Sequence, residues 1–298
     1  MPDHPAAFAP VVARLIRPPM TPYGRLFVRA CAAAARAPWL GLGLGGALLL
    51  ARGGAAIAAL LVLDAVLGQD GASMAAAVGL LLAAGLFATL VELALWAGGI
   101  PLLVERMQGG EARPFGQAFV RGLERGFATM VGLGAYRVGA WLLFHLAGFG
   151  FFFALVLAAL ASPALLLFAM PVILLLVGGE LLWRVLAWIA IARAGALGEG
   201  GISALVGGLR QFFARPTAHL FTWWAGQLAV SLAGGGVAAI VAAGLSGVSP
   251  LAIALVAATA AAVAGMVLLV VMAIYTALTL DASPPRRPAP QSDEMQRP

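Results

Sequence analysis

The sequence predicts an all-α, polytopic membrane helix bundle: about six transmembrane helices in three hairpin repeats, with short cytoplasmic amphipathic helices. Three observations predict it. Hydrophobic residues make up 62% of the chain and charged residues 10%, with a mean hydropathy of +1.00, whereas a soluble domain carries roughly 25% charged residues. Apolar runs near or above about 18 residues, the length that reads as a membrane span, recur from one end of the chain to the other. Finally, arginine is confined largely to alternate connections between those runs.

The first run extends over 39–67, interrupted by Arg52 and Gly53-Gly54 and closed by Gly68-Gln69-Asp70-Gly71. The second, 74–104, carries Glu92 near its middle and ends at Glu105-Arg106, with Gly109-Gly110 as a stop. The third and fourth, 130–160 and 163–191, are joined by a short uncharged link, which makes them antiparallel neighbours. The fifth and sixth, 219–245 and 251–280, are separated by Ser246-Gly247-Val248-Ser249-Pro250. At 1.5 Å per residue each run crosses a hydrocarbon core of about 30 Å with some tilt.

Orientation follows from arginine, because short Arg-rich connections stay in the cytoplasm. Arg14, Arg17, Arg25, Arg29 and Arg36 precede the first run; Arg106, Arg113, Arg121 and Arg125 lie between the second and third; Arg193, Arg210 and Arg215 lie between the fourth and fifth. The opposite connections have no Arg, so both termini are expected in the cytoplasm of a bacterial inner membrane. The net charge of +6 is scattered in this way rather than gathered into a stripe, which argues against nucleic acid. The 1–22 segment has no uninterrupted apolar core of the secretory kind. Membrane targeting is therefore expected from the first span. The tail, 281–298, is Pro-rich and polar and is expected to be disordered.

The basic connections resemble one another. Tyr23-Gly24-Arg25-Leu26-Phe27-Val28-Arg29 aligns with Phe115-Gly116-Gln117-Ala118-Phe119-Val120-Arg121, Ser203 to Val206 fits Gln117 to Val120, and Arg36-Ala37-Pro38 is echoed by Arg215-Pro216. This is the signal of an internal repeat within a transmembrane domain spanning 23–280. Apolar residues in each copy recur at helical spacing, as at Phe115, Phe119 and Leu123. They describe either a short helix lying in the membrane interface or an extension of the membrane helix that follows.

Ionisable groups inside spans are costly, about 2.5–3.5 kcal/mol each on insertion scales, and often mark function. Here they are Arg52, Glu92, Arg137, His145, Glu180 and Arg184, a candidate intramembrane polar centre. Arg52 and Glu92 each lie about 20 Å from the cytoplasmic edge on helices joined by a hairpin, which makes them the expected ion pair. Glu180 stands 88 positions after Glu92 and has Arg184 one turn away on its own helix face. His145 matches the depth of Glu180; Arg137 is shallower and could snorkel. Such a centre either serves proton- or ion-coupled transport or locks helices together. Trp96, Trp141, Trp183 and Trp188 read as packing residues, and Gly41 and Gly45 as either close helix contacts or compositional bias.

No catalytic signature is present: the histidines His4, His145 and His219 share no metal-ligand spacing, and neither a phosphate loop nor a Gly-x-Ser-x-Gly elbow occurs. Cys31 is the only cysteine, so an internal disulfide is excluded. The phrase Leu197-Gly198-Glu199-Gly200-Gly201-Ile202-Ser203-Ala204-Leu205, with Gly208-Leu209-Arg210 and Arg215-Pro216, resembles one common in a broad bacterial group of six-helix membrane proteins. That group includes the membrane domain of some glycerophosphodiester phosphodiesterases, and Gly109-Gly110-Glu111 through Phe119 is similar. The resemblance implies a six-helix bundle and no substrate. The expectation is a non-enzymatic structural or accessory component of a membrane complex, in contact with lipid and protein partners and without a cofactor. The alternatives are a small secondary transporter built on the polar centre and an intramembrane enzyme without a recognised motif.

Overall fold

The computed structural model describes residues 22–68, 71–109, 114–161, 169–244 and 249–282, and these residues form eight helices and no strand. In chain order they are α1 (Pro22–Ala35), α2 (Pro38–Gly68), α3 (Gly71–Gln108), α4 (Phe115–Ala161), α5 (Ala169–Leu197), α6 (Gly201–Ala214), α7 (Pro216–Gly244) and α8 (Pro250–Ala282). The 1–21 segment and the 283–298 tail lie outside the described residues, as do most side chains of α2 beyond Ala51 and of α7 beyond Ser231. Among the described residues α3, α4, α5 and α8 are each long and apolar enough to cross a membrane, and α1 with α2 makes a fifth span if that bent pair is counted as one.

Proline and glycine set the boundaries. Four helices, α1, α2, α7 and α8, begin on Pro, whose missing N–H costs nothing at the first helical position. Pro38 bends α2 by 81° from α1, and Pro216 separates α7 from α6. No Pro lies between Phe115 and Ala161, and α4 runs unbroken for 47 residues. Two of the amphipathic segments are separate short helices, α1 and α6, and the third is continuous with the long apolar helix that follows it in α4. At the other ends, Gly109 (φ +74°) and Gly198 (φ +68°) close α3 and α5. Gly198→Ala would force a Cβ into the left-handed region at a cost of about 1 kcal/mol. A thermal midpoint lowered by a few degrees in detergent, and mostly restored by Gly198→Asn, is the expected result.

The core is built by α3, α5 and α8, which touch one another, while α2 packs between α3 and α8 and α4 packs against α3 and α5. Their buried faces have helical spacing: Leu93, Trp96, Ile100 and Leu103 on α3, Val185, Ile189 and Ala192 on α5, Leu269, Met272 and Tyr275 on α8. All belong to the halves nearer the basic connections. The opposite halves are loosely packed, with Leu82, Leu86, Leu143, Phe149, Leu174 and Leu175 exposed. Each amphipathic segment packs against a core helix: α1 on α8, the first turns of α4 on α3, and α6 on α5.

Polar ties hold the packed end. Arg29 donates to the carbonyl of Met107 at the end of α3, through Nε at 2.8 Å. Arg193 of α5 donates through Nε to Glu199 at 2.9 Å and through Nη1 to the Gln211 carbonyl oxygen at 3.2 Å. Gln211 in turn donates to Thr279 of α8 at 3.2 Å. Where lipid is as apolar as the side chains, such hydrogen bonds and close packing carry helix association.

Candidate functional site

The unbroken α4 and the close approach of small residues decide which charges meet. Pro101 in α3 leaves the carbonyl of Ala97 without its helical donor, and that oxygen lies against Gly122, where a Cβ would stand 2.8 Å from it. Gly134 sits under Leu93. This register carries Arg137 of α4 to the level of Glu92 of α3.

Glu92 and Arg137 form a two-pronged ion pair: Nη1 donates to Oε1 at 3.1 Å and Nη2 to Oε2 at 3.0 Å. The indole Nε1 of Trp96 adds a third hydrogen bond to Oε1 at 3.3 Å. The carboxylate is therefore bonded at both oxygens, and the pair joins two helices. The Arg52–Glu92 pair expected from depth involves a side chain outside the described residues, and among the described residues the partner of Glu92 is Arg137. Depth counted from Met130 places Arg137 only about 10 Å deep, yet Met130 is fully buried in the core rather than marking a bilayer edge.

Glu180 pairs with Arg184 one turn along α5, as the spacing predicts. This pair differs in kind. It lies on a single helix, one Arg nitrogen meets one carboxylate oxygen, and the side chains retain 40% (Arg184) and 27% (Glu180) of their exposure. Glu180 Oε2 has no hydrogen-bond partner among the described residues.

Both pairs face one cavity of about 430 Å³ to which all six long helices contribute. Glu92, Arg137, Glu180 and Arg184 supply its charges. Trp141, Trp183 and Trp188 supply aromatic faces, and Thr89 and Gln227 uncharged polar groups. The rest of the wall is apolar, with Leu44, Leu48, Val230 and Leu268 in it. Leu268 lies as far after Glu180 as Glu180 lies after Glu92. The cavity sits where the packed half of the bundle gives way to the loose half.

His145 is not part of this group. It is exposed on α4, its Nδ1 is 2.8 Å from the carbonyl oxygen of Trp141, and its ring lies 4.3 Å from that indole. Four of the six candidate residues thus converge. Among the four tryptophans read as packing residues only Trp96 is completely buried; the other three line the cavity, though Trp188 also packs on Trp96 at 6.1 Å and on Tyr275 at 6.4 Å. The aromatic wall and Gln227 carry no sequence signal beyond helical spacing, since nothing in an apolar run marks which face meets a void. Among the described residues no group of three His, Cys, Asp or Glu could hold a metal ion. No protein-family model matches the chain, and no curated protein or solved structure matches it either.

Proposed function

We propose that the protein is a multi-pass bacterial inner-membrane protein that binds a small polar-headed molecule in its intramembrane cavity and serves as a carrier for it. One observation carries the reading. Charged pairs that only lock helices together should join different helices, as Glu92 and Arg137 do. Glu180 and Arg184 sit on one helix, join no second helix among the described residues and face the cavity, although placing them at such depth is costly. Membrane sites for small molecules form where helices converge around a few polar groups in an apolar wall.

In this reading all six long helices span the membrane, both termini are cytoplasmic, and the chain is three hairpin repeats. The equal spacing of Glu92, Glu180 and Leu268 around one cavity supports the repeat, as does the packing of α1, the start of α4 and α6 on α8, α3 and α5. It agrees with the resemblance to the six-helix bacterial group. The protein acts by binding rather than by bond chemistry.

A second reading, a structural or accessory component of a membrane complex, is favoured by the saturated Glu92–Arg137 clasp. The two are separated by filling the cavity. Gly85 lines it and has open space where its Cβ would stand, so Gly85→Leu should occlude the cavity without harming the fold. Wild-type protein should be stabilised by several degrees on adding a bacterial polar lipid extract or an amino-acid mixture, and Gly85→Leu should not. Equal responses of both proteins to every such addition would leave the structural reading.

A further inference from the structure

We infer that the ligand of this cavity is a zwitterion held by the Glu180–Arg184 side, its cationic group on Glu180 among the tryptophan rings and its anionic group on Arg184. The inference rests on the carrier's binding site being this cavity and names the ligand class of that site.

The two ion pairs divide the labour. Glu92 has both oxygens bonded and Arg137 directs both of its terminal nitrogens at them, so this pair is satisfied within itself. On α5, Glu180 keeps Oε2 without a hydrogen-bond partner among the described residues and Arg184 has one nitrogen engaged. Gln227 faces the same space, its amide unengaged among the described residues. The free groups are thus one acceptor of formal charge −1, one donor of formal charge +1 and a neutral amide.

The four charged side chains sum to zero. A ligand of single charge would leave an uncompensated charge in a weakly screened site, where such a charge is heavily penalised. A zwitterion laid antiparallel to the Glu180–Arg184 pair keeps the site neutral and satisfies both free ends. Trp141, Trp183 and Trp188 add ring faces of the kind that attract an ammonium group. The cavity lies beside the loosely packed half of the bundle, whose exposed apolar side chains could follow an acyl tail. A zwitterionic phospholipid and a soluble zwitterion share the headgroup chemistry, and the test separates them.

Full-length protein in a non-ionic detergent would be titrated, by tryptophan fluorescence and thermal shift, with three short-chain amphiphiles. These are dihexanoyl phosphatidylethanolamine (zwitterionic), dihexanoyl phosphatidylglycerol (anionic) and an alkyl trimethylammonium (cationic), with glycerophosphoethanolamine, a soluble phosphodiester of zero net charge, as competitor. The zwitterion should bind at least tenfold more tightly than either singly charged compound. Glu180→Gln should weaken it tenfold or more and turn preference toward the anionic compound; Arg184→Gln should turn preference toward the cationic one. A merely structural pair would give no such opposite shifts. The double variant Glu180→Gln/Arg184→Gln, with no charge left uncompensated, should fold and bind without charge preference.

Competition by glycerophosphoethanolamine at matching concentration would support a soluble zwitterion, and its failure to compete a lipid. Equal affinity for the three amphiphiles, or indifference to both single substitutions, would overturn the zwitterion. If Gly85→Leu still abolishes binding in that case, the cavity reading stands alone. If Gly85→Leu also changes nothing, both fall.

Discussion

Gly265→Leu is expected to separate α2 from α8 and to unfold the bundle at a markedly lower temperature than wild type. At this crossing a Cβ on Gly265 would fall on the carbonyl oxygen of Gly41 and the amide of Gly45 and stand 2.7 Å from the Cα of Gly45. These are backbone atoms, which cannot turn aside as a flexible side chain can. A Cβ on Gly45 would likewise meet the carbonyl carbon of Ala261 at 2.8 Å. Forcing side-chain volume into such a contact costs on the order of 3 kcal/mol, and in a bilayer no hydrophobic drive between helices offsets it. The measurement is the unfolding midpoint in mixed micelles, with Gly46→Leu as control. Gly46 lies on α2 beside Gly45 with nothing within 4 Å of its Cβ direction, so that variant should match wild type, while Gly265→Ala should already fall below it.

Arg137→Gln should destabilise the bundle by about 3 kcal/mol, because removing one partner of a largely buried pair strands the other charge. Among the described residues Glu92 would keep only the Trp96 indole at 3.3 Å. Glu92→Gln alone should cost a similar amount by stranding Arg137. The double variant Glu92→Gln/Arg137→Gln leaves two neutral amides that can bond each other, and most of the loss should return. A double-mutant cycle on unfolding midpoints would read the coupling directly. Purely additive losses would refute the clasp. The same cycle on Glu180 and Arg184 should show weak coupling, since that pair joins no two helices and is the more exposed.

A hydropathy pattern carries local information and little about how distant segments meet. Helix ends are legible in it because proline and glycine act locally: Pro38, Pro216 and Pro250 start helices, and Gly109 ends one where the sequence places a stop. The Glu180–Arg184 pair is legible because four residues on a helix is a fixed geometry. The partner of Glu92 is not, because it depends on how far α4 slides along α3. That register is set by Gly122 and Gly134 against Ala97 and Leu93, a contact between two distant segments. Gly41 and Gly45 show the same limit. In a chain with 38 glycines their spacing alone does not distinguish a crossing point from composition; the facing glycine, Gly265, does. The cavity is illegible for a related reason: Trp183 and Trp188 are spaced like any apolar helical residues, and only the packing of neighbours decides which face meets a void.

The two ion pairs also differ in when they can form during biogenesis. Glu180 and Arg184 leave the ribosome four residues apart and enter the bilayer together, so their charges cancel from the moment α5 partitions. Glu92 is synthesised 45 residues before Arg137 and lies on a different helix, so α3 is without this partner until α4 arrives. At a cost of about 3 kcal/mol for a lone charge at the centre of a span, α3 has reason to linger beside the insertion machinery until its partner emerges. The Glu92–Arg137 pair would in this way tie the release of α3 to the synthesis of α4.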